Sequence, residues 1–121
     1  MGGRGSSSMS GGGSSHGDVG FKSGPEELRS YFAERIAQDG GVPSVYTGGA
    51  TPQERSKVVQ ALNLAAGDVL GGGDISRVQL SPSRGTGLRL ASFGGVKVPV
   101  SENPTDAELR GAAAAARAAR R

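Results

Sequence analysis

The sequence has no cysteine and no tryptophan. Without thiols there is no disulfide, no thiolate nucleophile and no Cys-ligated metal or iron–sulfur site. The lone histidine, His16, removes His-cluster metal centres and most His-paired nucleophiles. Aromatic residues are scarce at 4%, so the stacking platforms of many single-strand binders have little to be built from. No apolar run approaches the roughly 18 residues that a membrane span needs, so no membrane partner is expected. The opening Met1-Gly2-Gly3-Arg4-Gly5 carries no apolar h-region, and export through a signal peptide is therefore not expected.

Glycine is plentiful, 22 of 121 residues, and unevenly placed. Residues 1–24 contain nine Gly and seven Ser. Such a stretch has little apolar surface to offset chain entropy and reads as a disordered arm. Removing residues 1–22 is accordingly expected to leave stability unchanged. Between Leu28 and Val100 there are 22 large apolar side chains, enough for one small core. Charge divides the same way. Residues 25–103 carry eight cations and eight anions, so the net +3 comes from the two ends.

Three segments begin with helix-start grammar. Ser23-Gly24-Pro25-Glu26, Thr51-Pro52-Gln53-Glu54 and Thr105-Asp106-Ala107-Glu108 each read as a capping box, a hydroxyl followed three residues later by Glu. After the first, Leu28, Tyr31, Phe32 and Ile36 form one helical face, giving a helix over 25–38 that stops at Gly40-Gly41. After the second, Val58, Leu62, Ala65, Ala66 and Val69 give a helix over 52–69. The third opens an Ala/Arg-rich helix from 104 to near the terminus. That helix either docks through its small residues or projects.

Between the second and third helices the period becomes two. Val78 and Leu80, then Leu88 and Leu90, then Val96, Val98 and Val100 alternate with polar or small residues. They predict a three-stranded antiparallel meander. A three-residue Phe93-Gly94-Gly95 loop, pairing Leu90 with Val98 and Leu88 with Val100, keeps the aliphatics on one face. Pro99 cannot donate a ladder hydrogen bond, so its strand belongs at an edge. Val42–Tyr46 reads as a fourth strand or as a loop plugging the core. The fold class is α+β: a compact domain over 25–103 with two amphipathic helices packed on the meander, followed by a basic helix over 104–121.

The candidate binding residues are cations. With the aliphatics inward, Arg77, Arg89 and Lys97 face outward, one per strand, and Arg84 joins them from the adjoining loop. Arg110, Arg117, Arg120 and Arg121 give the last helix a basic stripe. These eight residues are the expected contacts to nucleic acid or an acidic partner. The loop Ser83-Arg84-Gly85-Thr86-Gly87 offers backbone N–H groups for an anion, without the Walker spacing or lysine. Gly71-Gly72-Gly73-Asp74, with Asp68 nearby, lacks the alternating acids of a calcium loop. No nucleophile stands beside a base with an orienting third group. No enzyme activity, cofactor, metal or small-molecule substrate is expected.

The opening Met1-Gly2-Gly3-Arg4-Gly5-Ser6-Ser7-Ser8, continuing in Gly and Ser, resembles the start of small proteins encoded in bacteriophage and prophage head-gene regions. The resemblance covers about ten residues and implies a virion component or phage accessory protein, located in the virion or the host cytoplasm. The expected function is a non-enzymatic structural or accessory protein. Its partners would be protein: copies of itself, other virion proteins or a host factor. The alternatives are a nucleic-acid-binding module using the C-terminal arginines and the outer sheet face, and a small enzyme with an anion site at Ser83–Gly87.

Overall fold

A computed structural model describes residues 20–120 of the chain. The expected arm through residue 19, with His16, and Arg121 lie outside the described residues. The elements in chain order are α1 (Pro25–Asp39), α2 (Pro52–Leu70), β1 (Gln79–Leu80), β2 (Leu88–Phe93), β3 (Val96–Ser101) and α3 (Asp106–Ala119). The architecture is α+β, with the helices packed on a three-stranded antiparallel sheet of order β1-β2-β3.

Proline decides where α1 starts. Pro25 pushes the preceding residue out of the helical region, and Gly24 takes the extended cap conformation at φ −68°, ψ 158°. Ser23 is therefore one position too early to cap. Its hydroxyl instead accepts from Gly20 N–H at 3.0 Å in a turn, which corrects the first capping box. That turn brings Phe21 against the core, and Lys57 Nζ donates to the Phe21 carbonyl. The packed chain thus begins before residue 24, and a deletion through residue 22 removes a core contact. Thr51-Pro52 follows the same logic with a side chain that can cap. Thr51 Oγ1 accepts from Glu54 N–H at 3.1 Å and Glu54 Oε1 accepts from Thr51 N–H at 2.9 Å, a complete box.

Leu28, Phe32 and Ile36 of α1 are buried against Val58, Leu62 and Ala65 of α2. Val69, assigned to that face by its spacing, is 37% exposed. The Val42–Tyr46 segment is a loop and forms no strand. Val42 and Val45 pack on the core while Tyr46 is exposed.

The far side of α2 receives α3, which docks. Ala112 to Ala116 are all buried. Alanine methyls bury little area each, so this contact depends on closeness. A Cβ on Gly67 would stand 3.4 Å from the Gly111 Cα, and a Cβ on Gly111 would stand 1.8 Å from the Asn63 carbonyl oxygen. At Gly111 only a residue with no side chain lets the two backbones approach that far, whereas at Gly67 a methyl would make an ordinary contact.

The sheet corrects the expected register. Gly94 and Gly95 form a two-residue turn with φ +58° and +93°, the positive pair that a primed hairpin requires. Phe93 then pairs with Val96, Ala91 with Val98 and Arg89 with Val100. Arg89 shares a face with the valines, the arrangement that the aliphatic pattern disfavours. It is tolerated because Arg89 sits at the end of the sheet, where Nε donates to Ser81 O at 2.9 Å. Ala91 and Val100 bury against Leu109 and Ala112 of α3. The opposite face carries Leu88, Leu90 and Ser92 beside Lys97, Pro99 and Ser101.

The free edge of β3 is closed by side chains. In a two-residue hairpin, hydrogen-bonded and open pairs alternate from the turn, so Pro99 and Ser101 aim their peptide groups away from β2. Asn63 Nδ2 of α2 donates to Pro99 O at 2.9 Å. Glu108 Oε2 of α3 accepts from Ser101 N–H at 2.7 Å and from Asn63 Nδ2 at 3.2 Å, and Glu108 Oε1 accepts from Ser101 Oγ at 2.5 Å. Asn63, Ser101 and Glu108 are all buried. Thr105 does cap α3, accepting from Glu108 N–H at 3.2 Å. The Glu108 carboxylate makes no return bond. It has left the third box to satisfy the sheet edge.

Candidate functional site

The seven expected cations among the described residues do not form one platform. Of the outward trio, Lys97 is exposed on the outer face as expected. Arg89 is turned inward by the register, and its Nη1 donates to Glu102 O at 3.4 Å. Arg77 precedes the short β1 and lies in a turn closed by Val78 N–H on Ile75 O. Arg84 is exposed in its loop. What occupies the centre of the outer face is apolar: Leu90 is 42% exposed and stands opposite exposed Pro99. Leu80 on neighbouring β1 is also exposed but pairs with Ala91 and so belongs to the other face, which leaves Gln79 on the outer one. Nothing in the aliphatic alternation marks Leu90 as outward, because that reading depended on the wrong loop length.

The loop Ser83–Gly87 already holds a carboxylate. Glu102 Oε1 accepts from Gly87 N–H at 2.8 Å, and Oε2 accepts from the Ser83 hydroxyl. The Ser83 hydrogen bond, joined by those of the glycine backbone, holds the Glu102 carboxyl below the usual carboxylate range. Gly87 has φ +89°, and a Cβ there would meet the Pro52 carbonyl. Ser56 Oγ donates to Gly87 O and accepts from Glu102 N–H. The nest expected for an external anion is filled from within, and its serines are engaged in holding the loop.

Asp68 and Asp74 likewise have local partners. Asp68 accepts two bonds from Arg29, each 2.7 Å, which lowers its pKa. Asp74 accepts from the Ser76 backbone and hydroxyl, and its pKa is lowered for that reason. Among the described residues there is no group of three or more His, Asp or Glu placed to hold a metal ion. Nor is any helix there long and apolar enough to cross a membrane.

Arg117 and Arg120 are drawn into the fold rather than displayed on a free helix. The segment after α2 crosses the α3 stripe Arg110-Ala113-Arg117-Arg120 in close contact. Gly73 N–H donates to Arg110 O at 2.9 Å, and a Cβ on Gly73 would stand 2.6 Å from that of Ala113. Arg117 Nη2 donates to Leu70 O at 3.1 Å, placing a cation at the carbonyl end of α2. Arg120 Nη2 donates to Phe93 O and, at 2.9 Å, to Gly94 O. Arg110 is exposed on the same stripe, packed over Gly72. The crossing segment ends at Arg77, which therefore joins Arg117 and Arg120 around a cleft of about 340 Å³. Sequence spacing unites Arg110, Arg117 and Arg120 on one helix. It cannot foresee Arg77, which comes from another segment.

The aromatics gather elsewhere. Phe21, Tyr31, Phe32 and Tyr46 line a separate cavity of about 360 Å³ beside α1. Phe93 is the aromatic residue of the arginine cleft. No family model matches the chain, and neither a curated protein nor a solved structure matches it.

Proposed function

We propose that this chain is a small, non-enzymatic interaction module that docks on a protein partner through the outer face of its sheet. The observation that carries the reading is the exposed cross-strand pair Leu90–Pro99. Apolar side chains at the centre of an uncovered sheet face gain by leaving water, and polar Gln79, Ser92 and Lys97 frame them as a rim frames an interface. The inward turn of Arg89 supports the same reading, since it keeps one cation off that face. The non-enzymatic part is supported by how the carboxylates are used: Glu108 serves the sheet edge and Glu102 the Ser83–Gly87 loop. The setting that the opening residues imply, a phage particle or its host, belongs to the same proposal. The partner is then another copy, a virion protein or a host factor.

The test is Leu90→Lys. Because Leu90 is largely open to water, the variant should keep the wild-type urea midpoint. Proteins co-purifying from the native host or virion should drop out with Leu90→Lys and persist with the control Gln38→Lys, on the exposed side of α1. An identical set for both variants would refute docking through this face.

A second reading, recognition of nucleic acid through the arginines, is favoured by one observation, the convergence of Arg77 with Arg117 and Arg120.

A further inference from the structure

Three arginines and one aspartate line the cleft between the C-terminal half of α3, the β2–β3 turn and the segment before β1. None of Arg77, Arg117 and Arg120 is in an ion pair among the described residues, unlike Arg29 with Asp68 or Arg35 with Asp39. Two of the three are fixed in place. Arg117 and Arg120 are held by backbone carbonyls, which orient a guanidinium without neutralising it. Each spends only Nη2 on those bonds, leaving Nε and Nη1 as donors. Gly94 belongs to this arrangement, because a Cβ there would stand 2.5 Å from Arg120 Nη2. The anchoring therefore removes in advance much of the side-chain entropy that gripping an anion costs.

We propose that this cleft binds the phosphate monoester of a nucleotide. Its formal charge is three cations against Asp74, whose carboxylate stays ionised on the Ser76 bonds. That excess of two matches a monoester, which carries about −1.5 to −2 at pH 7, better than a backbone diester with a single charge. Arginine forks also suit phosphate oxygens geometrically. The cleft is larger than a phosphate alone needs, and about 340 Å³ falls within the range of small-ligand sites. Phe93 gives it an aromatic wall on which a base can stack. This site is independent of the sheet face, which lies on the other side of β2 and β3.

The experiment is calorimetric titration of the full chain with inorganic phosphate, a nucleoside, its 5′-monophosphate, and a short oligonucleotide with or without a 5′-phosphate. The 5′-monophosphate should bind at least tenfold more tightly than inorganic phosphate, and the nucleoside should not bind. Binding of the phosphorylated oligonucleotide as well places the source at a strand end. Its exclusion places the source in free nucleotide. Arg77→Ala should weaken binding tenfold or more at unchanged melting temperature, because exposed Arg77 anchors nothing in the fold. Arg110→Ala, on the same helix stripe but outside the cleft, should leave affinity unchanged. Four results would overturn the proposal: no binding of the monophosphate, equal affinity for inorganic phosphate, equal affinity for the 5′-hydroxyl oligonucleotide, or equal losses from Arg77→Ala and Arg110→Ala.

Discussion

Adding one methyl group at Gly111 should change the stability of this protein in a direction that decides how α3 is used. On a projecting helix, Gly→Ala stabilises by about 1 kcal/mol, because alanine loses less backbone entropy on ordering. At Gly111 the new Cβ would lie 1.8 Å from the Asn63 carbonyl oxygen, a distance no real Cβ occupies. Relief requires α3 to move away from α2 by more than an ångström. That shift pulls Glu108 from Ser101 and Asn63, since those bonds are already 2.5–3.2 Å long. Overpacking costs roughly 1–3 kcal/mol, and weakened hydrogen bonds to a buried carboxylate add a similar amount. Subtracting the propensity gain leaves a net destabilisation of about 1–5 kcal/mol, or a melting temperature lower by roughly 4 °C or more. Gly67→Ala is the internal control: its Cβ would make an ordinary 3.4 Å contact with Gly111 Cα. It should stay within about 1 kcal/mol of wild type. Urea denaturation followed by far-UV circular dichroism measures both. A Gly111→Ala protein as stable as wild type, or more so, would refute the docked helix.

Glu108→Ala should cost about 2–3 kcal/mol in the same assay, because it leaves the Ser101 N–H and part of the Asn63 amide buried without an acceptor; a cost under about 0.5 kcal/mol would show that the edge is hydrated. Phe21→Ala should lower stability by about 1–2 kcal/mol, since Phe21 packs on the core only in part; equal midpoints for Phe21→Ala and wild type would detach that turn from the core. The Glu102 clamp should depend on pH in one direction. A carboxyl whose folded pKa lies below its unfolded value of about 4.3 contributes stability above that value and loses it as pH falls through the folded pKa. Protection of the Gly87 amide relative to its intrinsic exchange rate should therefore stay high at neutral pH and give way to fast exchange only in acid. Glu102→Gln should show the fast behaviour throughout, and a Gly87 amide equally protected in that variant would contradict the clamp.

The parts of this fold written in local chemistry were readable from the sequence. Thr51 with Glu54 states the start of α2 completely, and Leu28, Phe32 and Ile36 state the buried face of α1. The meander shows in the alternation of Val96, Val98 and Val100, and Pro99 does mark an edge. Errors arose where one local signal had two tertiary uses. Gly94-Gly95 serves as a two-residue turn or as part of a longer loop, and an inward arginine looks costly until carbonyls at the sheet end receive it. Glu108 stands at a capping-box spacing, yet its burial depends on Ser101 and Asn63 from two other elements. The alanines of α3 look neutral because their docking depends on Gly111 meeting the Asn63 carbonyl across the interface. The arginine cleft follows the same rule: two of its members share a helix, and the third arrives from a loop.

The most direct measurement is a photo-cross-link from position 90. A benzophenone amino acid replacing Leu90, in the full chain and in its native host or virion, should give one discrete protein adduct. The same group at position 38 should give none. Adducts of equal yield from both positions, or none from position 90 while the protein remains folded, would contradict the sheet face as the docking surface.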